Sequence, residues 1–313
     1  HPGMIALAPR LLPAATRPRN MSFRSLLARC FPGSFTSLPA PRSGGVQCAH
    51  PGGLHRMAYR EWGDPASGQV VVCVHGLTRN GRDFDFLAAA LAGDCRVVCP
   101  DVAGRGDSAW LADTSLYGVP QYVADMVTLI ARLDVERVDW VGTSMGGLIG
   151  MALAAMKDSP IRRLVLNDVG PQLAAVALQR IGGYVGRSFR FPDLAAAEAH
   201  LRVAYAPFGP LSDAQWQFLT RHSVRAAEGG FEFNYDPGIG DAFRAAPALM
   251  DVNMWPLYDS IRCPTLVLRG AESDLLSRDT LRQMAERGPR ALTLEFPGIG
   301  HAPTLLAADQ IEP

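Results

Sequence analysis

The sequence predicts an α/β protein with a doubly wound, mostly parallel sheet and a helical cap inserted between its later strands. Three observations carry this prediction. Short apolar runs alternate with segments of helical periodicity from residue 54 onward. Several of these runs are continuously apolar, which is typical of strands buried on both faces of a parallel sheet. A long aromatic-rich segment then interrupts the alternation.

The first part of the alternation spans residues 54–170. The run QVVVCVH at 69–75 is a Val-rich buried strand. After it, Phe84, Leu87 and Leu91 recur at helical spacing, and Gly93 stands where a glycine commonly ends a helix. Further strands are expected at 54–62, 95–100, 137–141 and 163–167, and further helices around 123–130 and from 145 onward.

The interrupting segment, residues 171–260, is too long to be a structureless loop in a compact domain. It holds 13 of the 25 aromatic residues of the chain, which favours a helical cap with an apolar pocket. We name Phe208 and Trp216 as candidate substrate-binding residues, although most of these rings are expected to form only the core of the cap.

The alternation resumes after the cap. The run PTLVLR at 264–269 is a strand, Ser277 is a candidate N-cap for a helix closed by Gly288, and 291–296 is the last strand. The predicted domains are therefore a core of 54–170 and 261–313, with a cap at 171–260.

Residues 1–50 are expected to lie outside this fold. Residues 1–60 contain eight Arg and no acidic residue, whereas the rest of the chain has a net charge of −8, and the two parts sum to zero. Three interpretations compete for the first 50 residues: an organelle presequence, a start placed too far upstream with Met21 as the true initiator, or a disordered arm.

Composition excludes several classes of function. The zero net charge gives no general attraction to nucleic acid or to an anionic membrane. The sequence contains no run of 18 apolar residues, so it predicts no membrane-spanning helix. The six cysteines form no CxxC pair and no zinc-type spacing, so we expect no metal and a reduced, cytoplasmic environment. One Lys against 29 Arg is typical of a GC-rich, bacterial genome.

The motif Gly142-Thr-Ser-Met-Gly146 follows a predicted strand and opens a predicted helix. This is the setting of a G-x-S-x-G nucleophile elbow, in which the serine sits on a strained turn and its flanking glycines avoid clashes. The sequence therefore predicts Ser144 as a nucleophile. A G-x-S-x-G without the strand and the helix would be a weaker signal.

Four motifs together resemble those of the α/β-hydrolase superfamily, in its capped serine esterase and lactonase branch. They are His75-Gly76, the DVAGRGDS run at 101–108, the elbow, and Gly300-His301, and the resemblance covers about residues 54–308. It implies an α/β-hydrolase fold and a triad in the order Ser, acid, His. Because relatives continue well beyond the catalytic His, we also expect the last helix to be cut short.

The remaining catalytic residues follow from this resemblance and from their positions. His301, in the loop after the last strand, is the predicted general base. Asp274 lies where the family places the acid, Asp168 is a rival after the preceding strand, and Glu272 is a weaker one. The acid would hold the His ring in the correct tautomer.

An oxyanion needs two backbone N–H donors. Met145, the residue after the nucleophile, is expected to supply one, and by resemblance Leu77 supplies the other. We interpret His75 and Arg105 as structural. Two interpretations compete for Arg79 and Arg82: steering of an anionic substrate, or an ordinary place in a solvated loop and helix start, which we favour.

The predicted function is hydrolysis of a small or medium carboxylic ester or lactone through an acyl-enzyme, without a cofactor. Two alternatives keep the same triad: carbon–carbon bond hydrolysis of ring-cleavage products, and cofactor-free perhydrolase or haloperoxidase activity. A carbon–carbon hydrolase would need an Arg, such as Arg79 or Arg190, pointing at Ser144. A non-catalytic receptor is a third alternative. The expected partner is a small molecule, and the sequence leaves open whether the protein is a homo-oligomer.

Overall fold

The computed structural model describes residues 39–245 and 250–311. The predictions for residues 1–38 lie outside this part of the chain. In the described ranges the chain forms thirteen strands: β1 (Arg42–His50), β2 (Gly53–Trp62), β3 (Val70–Val74), β4 (Arg96–Pro100), β5 (Val138–Thr143), β6 (Ile161–Asn167), β7 (Gln172–Leu173), β8 (Arg190–Phe191), β9 (Val224–Ala227), β10 (Gly230–Phe233), β11 (Val252–Asn253), β12 (Thr265–Gly270) and β13 (Leu292–Phe296).

Ten α-helices connect or flank these strands in the same ranges. They are α1 (Asp85–Leu91), α2 (Val119–Arg132), α3 (Met145–Ala154), α4 (Ala175–Gly182), α5 (Leu194–Ala204), α6 (Asp213–Ser223), α7 (Asp241–Ala245), α8 (Trp255–Asp259), α9 (Arg278–Glu286) and α10 (Ala308–Ile311).

The central sheet has eight strands in the order β1-β2-β4-β3-β5-β6-β12-β13. The pairs β1–β2 and β2–β4 are antiparallel, and every pair from β4 to β13 is parallel. The predicted doubly wound, mostly parallel sheet is therefore confirmed. Because parallel strands place their carboxyl ends at one edge, the loops after β3, β5, β6, β12 and β13 meet there.

The strand β3 shows why the sheet is covered on both sides. All five of its residues are buried. Val72 belongs to one core cluster, with Met126 of α2 and Ile149 of α3. Val71 faces the other way, into a second cluster with Leu87 of α1. Burial on both faces accounts for the continuous apolar run that identified this strand in the sequence.

The edge strand β1 corrects the predicted domain boundary. The prediction that residues 1–50 lie outside the fold is wrong for 42–50, which pair with β2 along their whole length. Within β1 only Cys48 is fully buried, because the strand lies at the sheet edge. An edge strand with one covered residue has almost no apolar periodicity, so the sequence did not reveal it.

The segment between β6 and β12 contains more than helices. Helices α4 to α8 are accompanied by a three-stranded sheet, β8-β10-β9, and a two-stranded sheet, β11-β7. The segment lies against the loops at the carboxyl edge of the main sheet. Pro207 accepts a hydrogen bond from the Gly300 amide at 2.7 Å, and Tyr235 forms a β-bridge with Arg105. Among the described residues, no helix combines the length and the apolar character needed to span a bilayer.

Candidate active site

Ser144 sits between the end of β5 and the start of α3. Its backbone has φ 51° and ψ −113°, a left-handed conformation that residues other than glycine rarely adopt. This strained turn presents the side chain above the sheet edge, as a nucleophile elbow requires.

The two glycines of the elbow have no room for a side chain. A Cβ atom at Gly146 would lie 1.9 Å from the carbonyl oxygen of Val74 on β3. A Cβ atom at Gly142 would lie 2.3 Å from the carbonyl oxygen of Gly146. The tight crossing of α3 over two strands therefore explains the spacing of the motif.

His301, in the loop after β13, links Ser144 to a carboxylate. Its Nε2 atom lies 3.0 Å from Ser144 Oγ, and its Nδ1 atom lies 2.7 Å from Asp168 Oδ2. An ionised carboxylate can only accept a hydrogen bond, so Nδ1–H donates to Asp168. This leaves the Nε2 lone pair facing the serine hydroxyl, which is the tautomer that a general base needs.

Asp168 directly follows β6 and is completely buried. Besides His301, its carboxylate accepts a hydrogen bond from the Gly270 amide at 2.9 Å and from the Ser273 hydroxyl at 2.7 Å. Three donors therefore hold the carboxylate in a defined orientation, and they satisfy the charge that burial would otherwise leave unpaired.

The prediction that Asp274 orients His301 is wrong. The Asp274 side chain is half exposed, and its carboxylate pairs with Arg180, with Nε–Oδ2 at 2.6 Å and Nη2–Oδ1 at 3.0 Å. The rival residue Asp168 occupies the position beside the imidazole. Gly270 at the end of β12 and Ser273 in the loop after it donate to that carboxylate, and this loop does not supply the carboxylate itself.

The predicted oxyanion donors lie beside Ser144. Met145 is the first residue of α3, so its amide has no acceptor within the helix. Leu77 lines the cavity in front of Ser144. A Cβ atom at Gly76 would lie 3.7 Å from the Ser144 Cβ, which shows how closely this loop approaches the serine.

Arg105 connects these two residues, a role that the sequence did not suggest. Its side chain is fully buried. Its Nε donates to the Leu77 carbonyl at 2.9 Å, its Nη2 contacts Met145 Sδ at 3.5 Å, and its Nη1 donates to Ala103 and Tyr122 at 2.7 and 2.8 Å. The only sequence signal was an arginine in the run DVAGRGDS, which by itself does not indicate these contacts.

His75 shapes the same loop and is neutral. Its Nε2 accepts from the Val102 amide at 2.9 Å, so the proton is on Nδ1, which donates to the Gly76 carbonyl at 2.7 Å. Complete burial lowers the pKa of His75 to about 3, and the positive charges of Arg105 and Arg79 act in the same direction. The structure agrees with the interpretation of His75 as a structural residue.

A cavity of about 370 Å³ opens onto Ser144 and His301. Phe208 lines it, and its role in substrate binding stays a prediction. Trp216 does not line it, and that prediction is wrong: the indole is buried in the second core cluster, with Arg202 over its ring at 5.5 Å. The other aromatic residues that line the cavity are Phe84, Tyr184, Phe189, Tyr205, Phe233 and Tyr235.

One group of possible metal ligands lies away from this cavity. Cys48, His55 and Asp125 are buried between β1, β2 and α2, with ligand atoms within 4.8 Å of one another. His55 Nε2 already lies 2.9 Å from Asp125 Oδ2, and burial together with Asp125 raises the pKa of the Cys48 thiol to about 12. These contacts describe a buried hydrogen-bonded cluster, and Ser144 and His301 do not take part in it.

Comparison with known proteins agrees with the geometry. The model of the Alpha/beta hydrolase family matches residues 71–312. The chain belongs to this family. The predicted resemblance and fold class are therefore confirmed, and the chain is an enzyme of the hydrolase type.

Individual relatives match over most of the chain. It is 54% identical over 280 residues to 3-hydroxybutyrate-oligomer hydrolase of Cupriavidus necator, which covers 87% of this chain and 96% of that protein. An alpha/beta hydrolase structure from Novosphingobium aromaticivorans has a TM-score of 0.78 and 38% identity, and the match covers 88% of this chain and 96% of that one. A crystal structure from Rickettsia typhi has a TM-score of 0.80 and 33% identity, over 87% of this chain and 95% of that one.

Proposed function

We propose that this protein is a serine hydrolase that cleaves the ester bonds of short 3-hydroxybutyrate oligomers. The observation that carries the chemistry is the chain of hydrogen bonds from Ser144 through His301 to Asp168 at the edge of a cavity. The observation that supports the substrate is the 54% identity to the Cupriavidus necator hydrolase, whose name specifies this class of ester.

In the first half of the proposed reaction, Ser144 Oγ attacks the ester carbonyl while His301 Nε2 takes the hydroxyl proton. The imidazolium that forms is stabilised by the Asp168 carboxylate at Nδ1. The amides of Leu77 and Met145 would donate to the tetrahedral oxygen, and each such donor contributes about 3 kcal/mol of transition-state stabilisation. The intermediate then collapses, His301 gives its proton to the leaving alkoxide oxygen, and the alcohol departs from an acyl-enzyme.

The second half repeats these steps with water. His301 removes a proton from water as the hydroxide oxygen attacks the acyl carbonyl, and it then returns that proton to Ser144 Oγ as the carbon–oxygen bond to serine breaks. The products are one alcohol and one carboxylic acid, and the enzyme is regenerated. Every step uses groups of this chain and water.

The segment at 171–260 supports an additional proposal, that it acts as a cap over the substrate. About half of the cavity-lining residues come from it, among them Phe189, Tyr205 and Phe208. Its mixed helices and small sheets enclose an aromatic-rich space that suits the methyl and methylene groups of a hydroxyacid ester. We also propose that the protein acts on a small molecule and is located in the cytoplasm.

The arginines named for carbon–carbon hydrolysis do not favour that alternative. Arg190 is exposed, pairs with Glu232 at 3.1 Å and does not line the cavity. Arg79 lines the cavity, but its guanidinium is engaged by Asp83 and Ser223. The 54% identity to the Cupriavidus necator oligomer hydrolase is the observation that places ester hydrolysis ahead of carbon–carbon hydrolysis.

A labelling and substrate panel tests the proposed function. We expect a fluorophosphonate to label the wild-type protein and to fail with Ser144→Ala, and we expect turnover of the 3-hydroxybutyrate dimer and of short p-nitrophenyl esters. Labelling that persists in Ser144→Ala would remove Ser144 as the nucleophile. Cleavage of a dienoate or peroxide-dependent halogenation, without any ester turnover, would move the assignment to one of the alternatives.

A further inference from the structure

Of the described residues, two arginines line the cavity, Arg79 and Arg180. This inference rests on the proposed function, because the proposed substrate has a carboxylate that an arginine can bind. A linear 3-hydroxybutyrate oligomer has neutral ester bonds and a single carboxylate, at one end. Its ester part suits an aromatic wall, whereas the carboxylate requires a cation, and a planar guanidinium binds it through two parallel hydrogen bonds.

Arg79 already donates hydrogen bonds to other side chains. Its side chain is nearly buried, with Nε and Nη2 donating to the two Asp83 oxygens at 2.9 and 2.5 Å. Its Nη1 donates to Ser223 at 2.5 Å, and the guanidinium lies 5.1 Å from the Tyr205 ring centre. Withdrawing a buried guanidinium from such partners would leave Asp83 unpaired in a partly desolvated place, which is unfavourable.

Arg180, on α4, is held far less firmly. Its side chain is 45% exposed and that of its partner, Asp274, is 51% exposed. Ion pairs exposed to this degree are screened by water and contribute little net free energy. Exchanging Asp274 for another carboxylate, or binding both, is therefore an easy change for Arg180. Tyr184, four residues further along the chain, lines the same cavity.

We propose that Arg180 binds the terminal carboxylate of the oligomer and so determines specificity for acids over neutral esters. Asp274, the residue first expected to belong to the triad, then has a different role: it occupies the guanidinium when no substrate is bound, and it competes with the substrate carboxylate. Under this proposal Arg180 binds the carboxylate and not the ester carbonyl, so its effect belongs to binding more than to the chemical step.

Two matched substrates test this: the 3-hydroxybutyrate dimer with a free carboxylate and the methyl ester of the same dimer. For Arg180→Gln, we expect the ratio of kcat/KM for the acid to kcat/KM for the methyl ester to fall at least tenfold, mainly through KM of the acid. Arg180→Lys should restore part of the ratio, because it keeps the charge but not the two-pronged geometry. Asp274→Asn should raise the ratio, because the competing carboxylate is gone.

The control is Arg282→Gln, an exposed arginine on α9 that pairs with Asp279 and does not line the cavity. It should leave the ratio unchanged. An Arg180→Gln enzyme that is folded by circular dichroism and keeps the wild-type ratio would overturn this inference and leave the proposed function intact. A wild-type enzyme that cleaves neither dimer would overturn both.

Discussion

Asp168 and His301 are 133 residues apart, yet Asp168 Oδ2 accepts a hydrogen bond from His301 Nδ1 at 2.7 Å. The carboxylate stands on the loop after β6, which is adjacent in the sheet to β5, the strand that directly precedes Ser144. The next strand along the sheet, β12, and the loop after it provide Gly270 and Ser273 as donors to the same carboxylate. Serine, acid and support for the acid therefore come from three neighbouring parallel strands.

The first prediction separates the two acidic residues. Asp168→Asn should lower kcat on p-nitrophenyl butyrate by about 10³–10⁴-fold, because an amide at this position favours the wrong imidazole tautomer. Asp274→Asn should stay within about threefold of wild type on this neutral ester, since an exposed ion pair contributes little. Steady-state kinetics on the two purified variants measure both kcat values. A larger loss for Asp274→Asn than for Asp168→Asn would show that Asp274 is the acid of the triad.

The second prediction concerns Arg105 as a positioning residue for the oxyanion donors. Arg105→Lys keeps the charge but cannot reach the Leu77 carbonyl, Met145 and Tyr122 together, so we expect kcat to fall about tenfold, part of the contribution of one oxyanion donor. KM should change by less than about threefold, since the arginine does not touch the substrate.

Arg105→Met, which removes every donor, should lose more activity than Arg105→Lys. Circular dichroism and thermal unfolding of both variants separate a folding defect from a catalytic one. Equal kcat values for folded Arg105→Lys and wild type would show that Arg105 only supports the fold.

The third prediction compares two glycines. Gly146→Ala should destabilise the protein by about 3 kcal/mol, because the new Cβ would overlap the Val74 carbonyl oxygen and the elbow cannot move without displacing β3. Gly93→Ala is the matched control, since a Cβ there meets nothing within 4 Å. Its effect on stability should lie between zero and a gain of about 1 kcal/mol. Urea unfolding measures both, and equal midpoints for the two variants would contradict the clash.

The fourth prediction is a pH dependence of stability. His75 has a pKa near 3 in the folded protein and an ordinary pKa of 6.5 when unfolded, so between these values the unfolded state binds more protons. The stability from neutral His75 is therefore present above pH 6.5 and is lost as the pH falls. The loss is about 1.4 kcal/mol per pH unit from this residue alone. Burial lowers the pKa of His222 to about 3 as well, and this adds to the slope.

His75→Asn provides the comparison, because its amide does not titrate and can still donate to the Gly76 carbonyl. Its free energy of unfolding, measured in urea at pH 7 and pH 5, should fall less steeply than that of wild type. Parallel curves for the two proteins would show that His75 does not carry this proton linkage.

By itself, the sequence determined the sheet, the elbow and the approach of His301 to Ser144. These depend on local causes: continuous apolar runs form doubly buried strands, and a serine flanked by glycines between a strand and a helix permits only a strained turn. The carboxyl-edge position of His301 follows from the strand pattern, whereas the order of the triad is what the resemblance to the α/β-hydrolase superfamily implies.

Only the tertiary structure decided which carboxylate binds His301 and that Arg105 contacts Leu77 and Met145. It also showed that Trp216 packs into the core and that residues 42–50 form an edge strand. Asp168 and Asp274 follow neighbouring parallel strands, so the sequence places both residues at the same edge of the sheet. The choice depends on loop paths and on which side chains remain exposed, and these are set by contacts between residues far apart in sequence. An exposed edge strand likewise buries too few residues to leave a periodic signal.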